Sequence, residues 1–137
     1  MKNLRIVALV LIACAVFLGG CRTARIQNVE LAPIISSGQH QKTMEDVKKA
    51  IISAGYGLGW QMSDIAPGHL VATLNIRSHQ AVVDITYTPE TYSINYKDST
   101  NLKYNGETIH SNYNKWIKNL TNAINRELGA VPNSGKG

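Results

Sequence analysis

Three consecutive segments of the chain alternate between apolar and polar residues, and this period of two constrains the fold more than any other feature of the sequence. The segments are 70–77 (LVATLNIR), 81–87 (AVVDITY) and 92–97 (YSINYK). Short turns separate them, at Ser78-His79 and at Thr88-Pro89-Glu90. Alternation with short turns predicts adjacent antiparallel strands whose apolar side chains lie on one face of a sheet.

Two further segments have apolar residues at the three- and four-residue spacing of an amphipathic helix. The first begins at Thr43, which forms a capping pair with Asp46, and is expected to end at Gly55. The second begins near Ser111 or Asn112 and is expected to end at Gly129. The apolar positions are Met44, Val47, Ala50, Ile51 and Ala54 in the first segment and Tyr113, Trp116, Ile117, Leu120, Ile124 and Leu128 in the second.

Together these patterns predict a small α+β domain over residues 42–128, built as a two-layer sandwich. We expect an antiparallel meander sheet of about four strands with both helices on one face, in the order α-β-β-β-β-α. The strand pattern is weakest between Trp60 and Ile65. The other face of the sheet has no predicted element to cover it, so we expect it to be wet or used for binding. Residues 129–137 (GAVPNSGKG) predict a flexible tail.

The N-terminus has the organisation of an export signal. Lys2 and Arg5 precede an uninterrupted apolar run of 13 residues, from Ile6 to Leu18. This run is shorter than the roughly 20 apolar residues that span a bilayer comfortably. Its length and its basic flank are instead typical of a secretory signal peptide.

The residues that follow this run, Leu18-Gly19-Gly20-Cys21, resemble the lipobox of bacterial lipoproteins. The resemblance implies cleavage after Gly20, which makes residues 1–20 a signal peptide, and attachment of membrane lipid to Cys21. In the same family, the residue after the modified cysteine influences sorting, and Arg22 implies the outer membrane. Residues 21–41 would then be a lipidated tether, with a possible edge strand at 26–31. An ordinary signal peptide, or an uncleaved anchor, remains the alternative.

The net charge and the number of cysteines exclude a nucleic-acid partner and a disulfide-stabilised domain from the expectations. Without Lys2 and Arg5, 12 of the 14 basic residues remain against nine acidic ones, so the net charge falls from +5 to +3. This is too small to predict nucleic-acid binding. The only cysteine besides Cys21 is Cys14, inside the apolar run, so we expect a processed domain without disulfides.

The sequence predicts no catalytic, cofactor or metal site. The histidines lack metal-ligand spacing, and no G-x-S-x-G motif occurs. Asp84 is the one acidic residue placed mid-strand on the open face, beside Asn75 or Arg77 if the strand register is simple. A cross-strand ion pair between Arg77 and Asp84 accounts for it without catalysis. We therefore expect a non-enzymatic protein.

The leading hypothesis is a lipid-anchored envelope protein, facing the periplasm, that acts as an interaction or assembly module with an envelope protein partner. One alternative is a carrier or sensor of a small apolar or aromatic ligand, bound in a groove floored by Tyr92 and Tyr96. Another is an inhibitor of an envelope enzyme, with 98–107 as its protruding loop.

Overall fold

The computed structural model describes residues 22–36 and 41–130 of the chain, so the predictions made for residues 1–21 and 131–137 lie outside the described residues. The described residues form an α+β fold of seven strands and two helices. The elements are β1 (Thr23–Arg25), β2 (Val29–Pro33), α1 (Met44–Gly57), β3 (Gln61–Ala66), β4 (His69–Ile76), β5 (His79–Tyr87), β6 (Thr91–Thr100), β7 (Thr108–His110) and α2 (Ser111–Ala130).

The strands form two antiparallel sheets. The main sheet has five strands in the order β2-β6-β5-β4-β3, and β1 pairs with β7 in a separate two-stranded sheet. Both the α+β class and the antiparallel meander from β3 to β6 are confirmed. The main sheet has five strands rather than about four, because β2 pairs with β6 at one edge. Strands β1, β2 and β7 are additional to the expected order α-β-β-β-β-α.

The core lies between the main sheet and the two helices. Alternate residues of β4, β5 and β6 are buried in it, as the period of two predicts. Both helices pack their apolar sides against this face, which we call the core face. Its fully buried side chains include Leu70, Ala72, Val83, Ile85, Tyr92 and Ile94 from the sheet, and Val47, Ile51, Tyr113, Leu120 and Ile124 from the helices.

Helix α1 begins as predicted but continues past Gly55. The Thr43 hydroxyl accepts from the Asp46 amide, and the Asp46 carboxylate accepts from the Thr43 amide, which completes a capping box. The helix ends at Gly57. Gly55 is therefore a packing position, since a Cβ atom there would overlap the Sδ atom of Met62 in β3.

Residues 22–36 are integrated into the fold where the sequence predicts a tether. Thr23 pairs with His110, and the Ser111 amide donates to the Arg22 carbonyl oxygen at 2.8 Å. Strand β2, which overlaps the expected edge strand, contains a bulge at which Leu31 adopts a φ of 48°. Residues 22–36 are therefore part of the folded domain.

Two smaller expectations are corrected in the C-terminal part of the described chain. Helix α2 includes Gly129 and runs to Ala130, so these two residues are helical rather than part of the expected tail. The expected loop 98–107 is shorter, because Thr91–Thr100 is one continuous strand. Within the described residues, no helix combines the length and the apolar character needed to cross a bilayer.

Candidate binding surface

The face of the main sheet opposite the core is lined by the alternate residues of the same strands. We call it the open face. Most of its side chains are half-buried or exposed, in contrast to those of the core face. The exception is Ser93 on β6, which is buried and accepts a hydrogen bond from the Leu31 amide at its hydroxyl oxygen. The half-buried and exposed side chains include His69, Val71 and Thr73 on β4, Val82, Asp84 and Thr86 on β5, and Asn95 and Lys97 on β6.

Three of these side chains form a charged cluster at the centre of the open face. The His69 Nε2 atom lies 2.6 Å from the Asp84 Oδ1 atom, and the Lys97 Nζ atom lies 3.3 Å from Asp84 Oδ2. In either the neutral Nε2–H tautomer or the protonated ring, His69 donates this hydrogen bond. Asp84 therefore bridges the two outer strands of the β4-β5-β6 unit.

The position of Lys97 follows from a bulge in β6. Val82 pairs with Asp98 and Val83 with Tyr96, so Lys97 is the additional residue between two paired positions. A bulge redirects the side chain of the residue that it inserts. Here the inserted lysine reaches the carboxylate on the neighbouring strand.

The Asp84 carboxyl group has a lowered pKa. Partial burial acts to raise its pKa, but the hydrogen bonds from His69 and Lys97, with their positive charges, outweigh this effect. Asp84 is therefore a carboxylate at neutral pH, and its side chain remains 27% exposed. The open face thus presents a fixed negative group whose oxygens are already hydrogen-bonded.

The expected neighbours of Asp84 are wrong. The turn between β4 and β5 consists of Arg77 and Ser78, with Ile76 opposite His79, rather than of Ser78 and His79. Asp84 therefore faces Val71 directly, with His69 as its diagonal neighbour. Arg77 lies in the turn itself, with a φ of 55°, and makes no ion pair with Asp84.

Asn75 also lies away from Asp84. It sits opposite Gln80, and its Oδ1 atom accepts a hydrogen bond of 3.0 Å from Gln80 Nε2. Of the three open-face residues that the sequence indicates, the structure therefore brings none together with another. His69 and Lys97 are not among the residues predicted from the sequence, although a turn placed at Arg77-Ser78 would have put His69 within diagonal reach of Asp84.

The cluster brings together an imidazole, a carboxylate and an ammonium group, all of which can make charged hydrogen bonds. A histidine oriented by a carboxylate resembles part of a catalytic triad, but catalysis also requires a nucleophile hydrogen-bonded to that histidine. Among the described residues, His69 makes a side-chain hydrogen bond only to Asp84. In the same residues, no group of three or more His, Cys, Asp or Glu side chains is arranged to hold a metal ion.

A second concave surface lies between β2 and the C-terminal half of α2, and we call it the β2–α2 groove. Its volume is about 500 Å³. On its wall, the Tyr92 hydroxyl donates to Asn125 Oδ1 at 2.8 Å. The lining residues are mostly apolar: Ala32, Pro33, Ile34, Ile35, Tyr92, Thr121, Asn125, Leu128 and Gly129.

Comparison with known proteins does not assign a family to this chain. No protein-family model matches the sequence, and no characterised protein matches it significantly.

Proposed function

We propose that this chain is a lipid-anchored protein of the bacterial cell envelope, held at the periplasmic side of the outer membrane by acylated Cys21. Its domain acts as a non-enzymatic binding module that presents the open face of the sheet to an envelope partner. The observation that carries the binding role is the pre-organised cluster of His69, Asp84 and Lys97 at the centre of that face.

The anchor is supported by the sequence before the domain. Leu18-Gly19-Gly20-Cys21 has the residue types that lipoprotein processing requires. Strand β1 begins at Thr23, only two residues after Cys21. With so short a connection, an acylated cysteine would hold the domain against the membrane surface and restrict the distance at which it can meet a partner.

The open face is favoured over the sheet edges as the contact surface. An edge strand recruits another strand when its backbone is regular and unprotected. Here β2 is interrupted by the bulge at Leu31 and ends at Pro33, and β3 has an irregularity between Asp64 and Ala66. Asp64 also pairs with Lys48 at the β3 edge, at 3.0 Å. A partner that contacts side chains on the open face does not need to pair with an edge strand, so these edge irregularities and the edge ion pair do not hinder it.

The composition of the open face suits a reversible protein contact. Val71 and Val82 supply half-buried apolar surface beside the charged cluster. Such a mixture is typical of non-obligate interfaces, whose apolar fraction resembles that of ordinary protein surface. Because Asp84 is already fixed by two donors, binding would cost little additional ordering of its side chain.

Site-specific crosslinking in living cells tests this role. A photoreactive residue placed at Thr73 or Val82 is expected to give a discrete crosslinked product, whereas one at Asn122 on the exposed side of α2 is not. Asp84→Lys should remove the product by reversing the central charge. Asp64→Lys is the matched control, because it makes the same charge change at the β3 edge. Equal products from both faces, or none from the open face, would contradict the proposal.

The β2–α2 groove favours a second function, the carriage of a small apolar or aromatic ligand. Its volume of about 500 Å³ falls within the range of known ligand pockets, and its lining is largely apolar. Native mass spectrometry of protein purified from its host would show a retained ligand. Leu128→Trp, which fills the groove, should release it, whereas Asp84→Lys should not.

A further inference from the structure

At one end of the domain, Arg22, the residue that follows Cys21, lies near three other segments of the chain. His110 pairs with Thr23 beside Arg22, and its ring lies 6.2 Å from that of His79. The His79 Nδ1 atom is 2.8 Å from the Asn101 carbonyl oxygen, and Asn101 Nδ2 donates to Ser78 Oγ. We call this region the anchor end; it comprises Arg22, the Arg77-Ser78 turn, loop 101–106 and the first two turns of α2.

The anchor end is basic. Its basic side chains are Arg22, Arg25, Arg77, Lys103 and Lys115, and the nearby acidic residues are Asp98 and Glu107. Glu107 is neutralised by its ion pair with Arg25. Within residues 22–36 and 41–130, Arg22, Arg77 and Lys103 are exposed and form no ion pair.

The opposite end of the domain has the reverse balance. It contains the β3–β4 and β5–β6 turns, the start of α1 and the end of α2. Five acidic residues lie there against four basic ones. They are Glu45, Asp46, Asp64, Glu90 and Glu127, against Lys42, Lys48, Lys49 and Arg126. The charge of the domain is therefore polarised along the strands, with its positive pole at the anchor end.

Exposed apolar and aromatic side chains accompany this charge. Ile76 precedes the Arg77-Ser78 turn and is 37% exposed, and Tyr104 in loop 101–106 is 41% exposed. Leu58, Ile76 and Trp116 line a cleft of about 210 Å³ next to the turn. Tryptophan and tyrosine beside basic residues are typical of surfaces that lie in the membrane interface.

We propose that the anchor end docks on a bilayer surface containing anionic phospholipid, with Arg77 and Lys103 on the headgroups and Ile76 and Tyr104 at the interface. The inference rests on the proposed acylation of Cys21. The Cα atoms of Cys21 and Arg22 are about 3.8 Å apart by covalent geometry, so the lipid holds this end of the domain at the membrane. Docking orients the strands roughly along the membrane normal and leaves the open face accessible from the side.

Reactivity of introduced thiols tests the docked orientation. Cys14 and Cys21 are the only cysteines, so in the processed, acylated protein a newly introduced cysteine is the only free thiol. Ser78→Cys reports on the anchor end and Pro67→Cys on the opposite end. The acylated protein is purified from membranes and reconstituted in vesicles of phosphatidylethanolamine with phosphatidylglycerol, in phosphatidylcholine vesicles, or in detergent.

We expect a water-soluble maleimide to label Ser78→Cys more slowly in the anionic vesicles than in detergent, and Pro67→Cys equally in both. Arg77→Asn with Lys103→Asn should lower the ratio of docked to undocked protein by about fivefold per charge, since a basic residue near an anionic leaflet contributes about 1 kcal/mol. Asparagine tolerates the positive φ of both positions. Lys49→Gln with Arg126→Gln removes the same charge from the opposite end and should leave the protection unchanged.

Two results would overturn the docking. One is an acylated protein, verified by intact mass, whose Ser78→Cys site reacts equally fast in anionic vesicles and in detergent. The other is protection that is the same in phosphatidylcholine and survives removal of both charges. A mass without acyl chains would instead contradict the anchor itself, and the docking with it.

Discussion

The two faces of the main sheet are built from neighbouring residues of the same strands, yet they differ in burial and in the interactions that stabilise them. On β5, Val83 and Ile85 are fully buried in the core face, while Asp84 between them lies partly exposed on the open face. The core face excludes water and is held by close packing, and a buried polar group there needs a partner. The open face is accessible to solvent and carries the charged cluster.

Because of this difference, we expect the core face to determine the stability of the domain and the open face to determine binding. Burial of a large apolar side chain contributes about 1.5–3 kcal/mol, whereas a surface ion pair contributes from about 0 to 1 kcal/mol. Substitutions on the open face should therefore change binding while the domain remains folded. The following substitutions test whether the two faces differ in this way.

The largest effect is expected from a cavity on the core face. Ile85→Ala should lower the free energy of unfolding by about 2–5 kcal/mol, because Ile85 is fully buried between the sheet and the helices. Denaturant titration monitored by circular dichroism measures the change. Thr86→Ala is the control on the open face of the same strand and should change stability by less than about 0.5 kcal/mol. Equal losses for the two variants would contradict the comparison.

A smaller effect is expected from polar atoms on the core side. The Tyr113 hydroxyl is buried and makes no hydrogen bond within the described residues, and burial raises its pKa. Tyr113→Phe should therefore retain or increase stability, by up to about 1 kcal/mol. Tyr92→Phe should lower stability by about 1 kcal/mol, since it removes the hydrogen bond to Asn125. The opposite order in thermal unfolding would show that Tyr113 has a partner.

The smallest effect is expected from the open-face cluster and depends on pH. The folded-state pKa of Asp84 is below its ordinary value of 3.8, so its ionisation stabilises the fold above that pH. Relative to Asp84→Asn, the wild type should be more stable by up to about 1 kcal/mol at neutral pH. This advantage should disappear as the pH falls through the lowered pKa. A difference that is independent of pH would show that Asp84 contributes through its shape alone.

The strongly periodic elements could be predicted from the sequence, and the short or irregular ones could not. The alternation from Leu70 to Tyr96 identifies β4, β5 and β6 because each buries several residues on one face. Strands β1 and β7 have three residues each, too few for a period to appear. The bulge at Leu31 and the proline at the end of β2 obscure the bounds of the fifth strand, which the edge strand expected at 26–31 overlaps only in part.

The candidate site could be predicted only to the level of its central residue. Alternation indicates that Asp84 lies on the open face, but its neighbours depend on register. When the two-residue turn moves by one position, from Ser78-His79 to Arg77-Ser78, the residue opposite Asp84 changes from Thr73 to Val71. His69 then becomes the diagonal neighbour of Asp84. Arg77 occupies that turn in a conformation with positive φ that favours glycine or asparagine, so residue type gave no signal. The bulge that positions Lys97 is likewise not visible in the pattern.

The proposed lipid anchor at Cys21 would place both faces of the sheet at the membrane, and it can be tested directly. Cells expressing the wild type or Cys21→Ala are labelled with radioactive palmitate, and their outer membranes are separated from the inner membranes and the soluble fraction. We expect the wild type to be labelled and to sediment with the outer membrane, and Cys21→Ala to carry no label. Label absent from both proteins, with the wild type in the soluble fraction, would contradict the lipid anchor.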